Sequence, residues 1–242
     1  MNHLVFFSAA MIALVLWMRA RTKNAVHLLL PIFVILGGSH IRGGVLSDGH
    51  SDLLPTILAA AFLILWIERK HRLAAVVLGL CVAAKTFPGM IYAPLLLRRP
   101  RDIPFFFASL AATYLPFLFW DPVGLWYNFS YPLLYVRYDA GSIGYAFMPG
   151  TQRLISLSCV ATACGFLGLA FLSKWNTRTV LLYLVAAHLA VFCAARMFHN
   201  NYLTWLAAPL PLLIFWSIKR AEEGVNAGMI ESGKSSPASA RP

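Results

Sequence analysis

The sequence predicts an all-α integral membrane protein, a bundle of about seven spanning helices plus a re-entrant helical pair. Hydrophobic residues make up 60% of the chain and charged residues only 12%, whereas soluble domains average roughly 45–50% and 25%. Apolar segments also recur from one end of the chain to the other, which excludes a soluble domain with a single anchor. Finally, lysines and arginines collect in the connections between these segments, as they do in membrane proteins.

Eight apolar segments define the candidate helices. They cover residues 4–18, 26–38, 53–67, 73–97, 103–120, 154–172, 180–195 and 203–218. Several are shorter than the roughly 20 residues that a perpendicular spanning helix needs. Short or broken helices are typical of segments that pack inside a larger bundle, with their polar ends at a water-filled cavity.

The basic residues predict the orientation. A formal net charge of +11 in a soluble protein would indicate nucleic-acid binding, but here the basic residues mark cytoplasmic connections. Arg19, Arg21 and Lys23 place the first connection in the cytoplasm. The second span then leaves residues 39–52 outside, and the third returns the chain to the basic turn at 68–72.

Segment 73–97 decides the rest of the topology. If it crosses once, the arginines at 98, 99 and 101 lie outside and the bias of basic residues is lost. If it enters and returns, 13 Lys and Arg residues lie inside and four outside. Pro88 and Gly89 supply a helix break. We therefore predict that 73–84 and 89–97 form the re-entrant pair, with Lys85 near its apex.

This topology places the connections 39–52, 120–153 and 196–202 on the outer face. Most of the unusual polar residues of the chain lie in them: His40, Arg42, Asp48, His50, Asp52, Asp121, Arg137, Asp139, Arg153, Arg196, His199, Asn200 and Asn201. The outer face is therefore the expected functional side. Residues 1–220 are predicted to form the transmembrane domain. Residues 221–242, rich in Ser, Ala, Gly and Pro, are predicted to form a disordered cytoplasmic tail.

Asp48, His50 and Asp52 form the first polar cluster, just before an apolar helix. Asp52 can cap that helix through its side-chain oxygen, which is a purely structural role. Capping does not explain Asp48 or His50. On one helical face the three side chains could instead bind a metal ion or orient a sugar hydroxyl.

Lys85 is the second candidate because it lies inside an apolar stretch. It either extends toward the membrane interface or binds a lipid phosphate at a helix break. The same two interpretations apply to Arg196 and His199, namely contact with lipid headgroups or a role in a functional site. Together with Asn200 and Tyr202 they form a third polar cluster on the outer face.

The aromatic segment 120–145, which contains Asp121, also allows two interpretations. Tryptophan and tyrosine rings at such a position are typical of an interfacial aromatic belt. Rings beside carboxylates also suit sugar binding, because the C–H face of a sugar stacks on a ring while its hydroxyls bond to the carboxylate. The two interpretations stay open at the level of the sequence.

Three motifs resemble a known family. They are Gly49-His50-Ser51-Asp52 at a helix start, Lys85-Thr86-Phe87-Pro88 after a basic turn, and Pro94-Leu95-Leu96-Leu97-Arg98-Arg99. Together they resemble the polytopic GT-C glycosyltransferases. The likeness is greatest to glycosyltransferase family 87, the polyprenol-phosphate-mannose-dependent mannosyltransferases. The segment from His199 to Trp205 is similar to a late motif of that family.

The resemblance implies a GT-C-like bundle that transfers a mannosyl or related hexosyl group. The donor would be a polyprenyl-phosphate-linked sugar and the acceptor a glycan or glycolipid at the outer face of a bacterial plasma membrane. Asp48 and Asp52 are the candidate catalytic residues. The substrate-binding candidates are His50, Lys85, Asp121, Arg196, His199, Asn200 and Tyr202. No cofactor is expected, and the sequence leaves a metal requirement open.

The family carries its usual catalytic carboxylate in a first external loop, which has no counterpart here. We therefore expect the chain to correspond to the later part of such an enzyme, or to a non-catalytic relative. Two other classes stay open, namely a small-solute or lipid transporter with broken helices and a non-catalytic membrane subunit that binds lipid phosphate. Polar residues crowd one face instead of crossing the midplane, and this favours the transferase over the transporter.

Overall fold

The structure, a computed structural model, describes residues 2–22, 24–37, 53–134, 176–194 and 205–234. All regular elements in these ranges are helical, which confirms the all-α prediction for this part of the chain. The α-helices are α1 (Asn2–Arg19), α2 (Val26–Gly37), α3 (Leu53–Ile67), α4 (His71–Ala84), α5 (Thr86–Tyr92), α6 (Pro94–Leu97), α7 (Ile103–Trp120), α8 (Pro122–Leu134), α9 (Thr177–Ala194) and α10 (Pro209–Lys234). A 3₁₀ turn, Pro100–Asp102, precedes α7.

Helices α3 and α4 form an antiparallel hairpin. The turn between them holds Arg69 at a φ of 60°, a left-handed conformation that is uncommon for a residue with a side chain. Near the turn, the rings of Trp66 and His71 are 4.8 Å apart. At the far end, the Cys81 thiol donates a hydrogen bond to the Pro55 carbonyl at 3.4 Å. The start of α3 therefore lies beside the end of α4.

Helices α4 and α7 run parallel to each other. Near their starts, the Arg72 guanidinium lies 5.5 Å from the centroid of the Phe105 ring. Near their ends, the Tyr114 hydroxyl donates to the Ala83 carbonyl at 3.3 Å. Between these contacts the helices touch at Gly79, where a Cβ would overlap the Ser109 hydroxyl. The absence of a side chain at Gly79 is what permits the close approach.

Because α4 and α7 are parallel, residues 85–102 must run back from the end of α4 to the level of its first residue. Helix α5 packs on α4, and a Cβ on Gly89 would lie 2.6 Å from Val82 Cγ2. The predicted break at Lys85 lies at the start of this return, but the predicted second helix, 89–97, is divided into α5 and α6 at Ala93. The second helix begins at Thr86 instead of 89, because proline is tolerated in the first turn of a helix and Pro88 does not end it.

The remaining helices complete the core around this unit. Helix α1 meets α10 where the Trp17 and Trp216 rings stack at 6.3 Å, and α9 meets α5 where Tyr92 and His188 lie 5.5 Å apart. Helix α10 continues to Lys234 and so passes the domain boundary predicted at residue 221. Residues 221–223 are Ala and Glu, which favour helix.

One apolar segment of the described residues, 100–120, is long and apolar enough to cross a membrane, with 21 residues and a mean hydropathy of 1.6. Only 6% of its apolar window is buried, and it exposes large side chains such as Phe107, Phe117 and Phe119. An apolar surface of this size marks a membrane or partner contact. Four shorter apolar helices accompany it: Ser8–Arg19, Leu53–Ile67, His71–Ala84 and Thr177–Phe192.

Candidate functional site

The described part of the bundle has two chemically different ends. At one end, which we call the basic end, the Arg21 guanidinium pairs with the Glu68 carboxylate and joins the α1–α2 connection to the α3–α4 turn. The Trp17 indole donates to the same carboxylate at 3.0 Å. The described basic residues of this end are Arg19, Arg21, Arg69, Lys70, Arg72, Arg98, Arg99, Arg101, Arg178, Lys219 and Arg220.

Two clefts show that these basic residues share the basic end. One cleft is lined by residues 69–73 together with residues 98–102. The other is lined by residues 176–178 together with Trp216, Lys219 and Arg220. Connections from distant parts of the chain thus converge there, which matches the grouping that the charge pattern predicted.

Lys85 lies at the opposite end, which we call the Lys85 end. Its backbone is extended, with φ −157° and ψ 116°, and its N–H donates to the Cys81 carbonyl at 3.0 Å. Since Cys81 contacts Pro55, the lysine lies level with the first turn of α3. The single extended residue between α4 and α5 is therefore the helix break that the sequence predicted, and it lies at an end of the bundle rather than in its middle.

Trp205 is a contact of Lys85 that sequence reasoning did not predict. The Lys85 ammonium lies 5.3 Å from the centroid of the Trp205 ring, within cation–π range. The indole is 4% exposed and packs against Phe192, with ring centroids 6.0 Å apart. Trp205 could have been named as a candidate from the sequence, because it ends the late motif that begins at His199.

A continuous series of ring contacts leads from Trp205 to the basic end. It passes through Phe192, His188, Tyr92, Phe62, Trp66 and His71, with centroid separations between 4.8 and 6.3 Å. Among the described residues, Tyr92 Oη and His188 Nε2 are buried without a hydrogen-bond partner.

Asp121 has a clear structural role. One of its carboxylate oxygens accepts a hydrogen bond from the Gly124 N–H at 2.8 Å, and its carbonyl accepts from the Leu125 N–H at 3.0 Å. It thus caps α8, with Pro122 at the first helical position. The side chain is exposed, so the structure leaves its carboxylate open to solvent as well. Helix α8 was missed because its aromatic residues were interpreted as a connection.

The other candidates fall outside the described residues. They are Asp48, His50, Asp52, Arg196, His199, Asn200 and Tyr202. Asp52 immediately precedes α3, whose first turn lies level with Lys85. Tyr202 precedes Trp205 by three positions. Within the described part of the chain, no group of three His, Cys, Asp or Glu side chains could hold a metal ion.

The described residues at the Lys85 end can bind an anion. A lysine ammonium supplies three hydrogen-bond donors and a positive charge, which suit a phosphate oxygen. The Trp205 ring stabilises the ammonium by roughly 0.5–2 kcal/mol without neutralising it. Tyr114 reinforces the same position by donating to the last carbonyls of α4. The pair thus presents a cation that is positioned by a buried aromatic ring.

No protein-family model, curated protein or solved structure matches this chain.

Proposed function

We propose that this protein is a membrane glycosyltransferase that moves a mannosyl or related hexosyl group from a polyprenyl-phosphate donor to a glycan or glycolipid acceptor. The observation that carries the proposal is the contact between Lys85 and Trp205. Two separate segments that resemble family 87 motifs meet there, and together they offer a cation for phosphate that is positioned by a buried ring. The Lys85 end is the proposed active face.

The proposed topology is about seven spans plus the re-entrant pair, in a GT-C-like bundle of a bacterial plasma membrane. The direction of the chain supports it, because α4 and α7 run parallel and α5–α6 returns between them. With the basic end in the cytoplasm, the Lys85 end faces outward. The exposed apolar surface of α7 is the surface that lipid would cover.

The proposed reaction inverts the anomeric carbon. The acceptor hydroxyl attacks that carbon while a carboxylate removes the hydroxyl proton, and Asp48 and Asp52 are the candidates for this base. The bond between the anomeric carbon and the phosphate oxygen breaks, and the polyprenyl phosphate leaves with the electron pair. The negative charge grows on that oxygen, so a fixed cation such as Lys85 lowers the barrier. Arg196 and His199 are the further candidates for phosphate contact.

Transfer of radiolabelled mannose from polyprenyl-phosphate-mannose, in membranes that contain the full chain, tests the proposal. We expect Lys85→Ala and Asp48→Ala each to reduce transfer by at least about tenfold. Lys70→Ala, at the basic end, is the matched control and should leave transfer unchanged. Wild-type transfer that neither Lys85→Ala nor Asp48→Ala alters would contradict the site.

A second candidate is a non-catalytic subunit that binds lipid phosphate. It is favoured by the structural role of Asp121, because this candidate carboxylate caps α8. The described groups at the Lys85 end, an ammonium and an indole, suffice for binding alone. Such a subunit would bind the polyprenyl-phosphate sugar in a Lys85-dependent manner and transfer nothing. Measuring donor binding and transfer on the same preparation separates the two functions.

A further inference from the structure

A strongly basic cleft opens at the basic end, far from the Lys85 end. It lies between the α3–α4 turn and the connection that precedes α7, and its volume is about 780 Å³. Six cationic side chains line it: Arg69, Lys70, Arg72, Arg98, Arg99 and Arg101. The proposed transfer reaction uses none of them.

The positive charge of this cleft is poorly compensated. Within the described ranges, the carboxylate that lines it is Asp102, and no ion pair involves Arg69, Lys70, Arg72, Arg99 or Arg101. Cations of like sign repel one another, and they are held close together here by the short turn at Arg69 and the 3₁₀ turn before α7. A bound anion would relieve this repulsion.

Two helices also direct their N-termini at the cleft. Helices α4 and α7 are parallel and begin at His71 and Ile103, and in the described chain neither first turn has a side-chain cap. Each helix start carries a partial positive charge, and the first turn of α4 also has N–H groups without helical partners. At α7 the Ile103 N–H donates to the Pro100 carbonyl and Pro104 has no N–H, so its contribution is the charge of the helix start. Anions, phosphates in particular, bind at such positions. His71 Nδ1, at the edge of the cleft, is buried without a partner among the described residues.

The rim of the cleft is apolar. Leu73 follows Arg72, Leu97 precedes Arg98 and Phe105 lies in the first turn of α7, and these side chains are 56%, 54% and 38% exposed. The Arg72 guanidinium also lies over the Phe105 ring. A free phosphate ion would gain nothing from these side chains, whereas the glycerol and upper acyl chains of a lipid would cover them.

We propose that this cleft binds the headgroup of an anionic phospholipid, with the phosphate among the arginines and the acyl chains over Leu73, Leu97 and Phe105. The proposal does not depend on the transferase function, because the cleft lies at the other end of the bundle. Basic clefts between membrane helices on the cytoplasmic side suit such headgroups.

Native mass spectrometry of the full chain in non-ionic detergent, titrated with phosphatidylglycerol or phosphatidylcholine, tests the proposal. We expect a preference for phosphatidylglycerol that falls about 30-fold in the double variant Arg99→Gln/Arg101→Gln. The variant Arg99→Lys/Arg101→Lys keeps the charge and should retain most of the binding. Thermal unfolding of the glutamine variant in the same detergent shows whether it loses binding merely because it does not fold.

The matched control is Arg178→Gln/Arg220→Gln, which removes the same charge from the second cleft at the same end. An equal loss in this control would overturn the proposal in favour of general surface attraction. Equal binding of phosphatidylcholine would overturn it as well. Displacement of phosphatidylglycerol by inorganic phosphate at the same concentration would show that the cleft binds the ion and not the lipid. Weaker phosphatidylglycerol binding in Leu73→Gln/Leu97→Gln would support the lipid.

Discussion

Lys85 Nζ lies 5.3 Å from the centre of the Trp205 ring, and this contact joins the break after α4 to the chain just before α10. The two residues are far apart in the sequence, so tertiary packing brings them together. The extended backbone at Lys85 directs the chain from one helix to the next, while the buried indole is fixed by Phe192. A cation that is fixed by backbone and ring loses little side-chain entropy when it binds an anion, which favours tight binding.

Replacement of Lys85 by Gln should weaken binding of the polyprenyl-phosphate donor by about 10- to 100-fold, since a charge-assisted hydrogen bond contributes roughly 1.5–3 kcal/mol. Lys85→Arg keeps the charge and should retain most of the affinity. A binding titration with the purified chain measures both. Wild-type affinity in Lys85→Gln would contradict a phosphate contact and favour simple extension to the interface.

Replacement of Gly79 by Ala should separate α4 from α7. The added Cβ would overlap the Ser109 hydroxyl and lie 2.5 Å from the Phe106 carbonyl oxygen, so we expect a loss of about 1–3 kcal/mol. Ala111→Val, on the exposed face of α7, adds more volume and should change little. Thermal unfolding in detergent compares the two variants. An unchanged midpoint for Gly79→Ala would mean that the helices are not in contact there.

The Arg21–Glu68 pair should show a modest coupling energy. The two side chains are 27% and 32% exposed, so a double-mutant cycle with glutamine at each position should give about 0.5–1 kcal/mol, less at high salt. The exposed Lys219–Glu223 pair, at 4.0 Å, is the control and should give less. Zero coupling at low salt would show that α1 is not tied to the α3–α4 turn.

His71 should make stability depend on pH. Burial lowers the pKa of His71 below its ordinary 6.5, the Arg99 and Arg69 cations lower it further, and Asp102 opposes them. The unfolded chain therefore binds more protons below pH 6.5. Stability is full above that pH, falls as the pH drops through 6.5, and levels off below the folded-state pKa.

The variant His71→Gln should lose this part of the acid-side fall. Unfolding midpoints of both proteins on either side of pH 6.5 measure the difference, and other titrating groups are common to both. The same slope in wild type and variant would place His71 in a solvated environment.

Single cysteines in a cysteine-free chain should report the path of the return segment. Lys70→Cys and Arg101→Cys lie on one cleft and should react with an impermeant reagent from the same side of the membrane. Val123→Cys, at the start of α8, should react from the other side. Reaction of Lys70→Cys and Arg101→Cys from opposite sides would mean that segment 73–97 crosses the membrane once.

Sequence reasoning predicted those features that follow from local composition. The grouping of Arg98 and Arg99 with the turn at Arg69 followed from charge, because costly basic residues must collect where water is. The break at Lys85 followed from the neighbouring Pro88 and Gly89. Helix α8 carried a usable signal as well, since Asp121-Pro122 is a typical helix start.

The contacts of Lys85 could not be predicted in the same way. Trp205 reaches it through the packing of α9 against α5 and of α10 against α9, and Tyr114 reaches the end of α4 because Gly79 permits a close parallel approach. Neither contact has a local pattern, because tertiary packing sets them. The basic cleft was likewise not predicted, because the sequence analysis assigned its basic residues to separate cytoplasmic connections.

In the proposed membrane topology, the parallel arrangement of α4 and α7 has a consequence for synthesis. Helix α4, with 14 residues, is about 21 Å long, short of the roughly 30 Å hydrocarbon layer, and α5 with α6 is shorter still. Neither can be held in the bilayer as an independent insertion unit. We expect both to await α7 before they commit to their final depth. With that topology, we expect the chain to be synthesised to about Trp120 before Lys85 reaches its final depth.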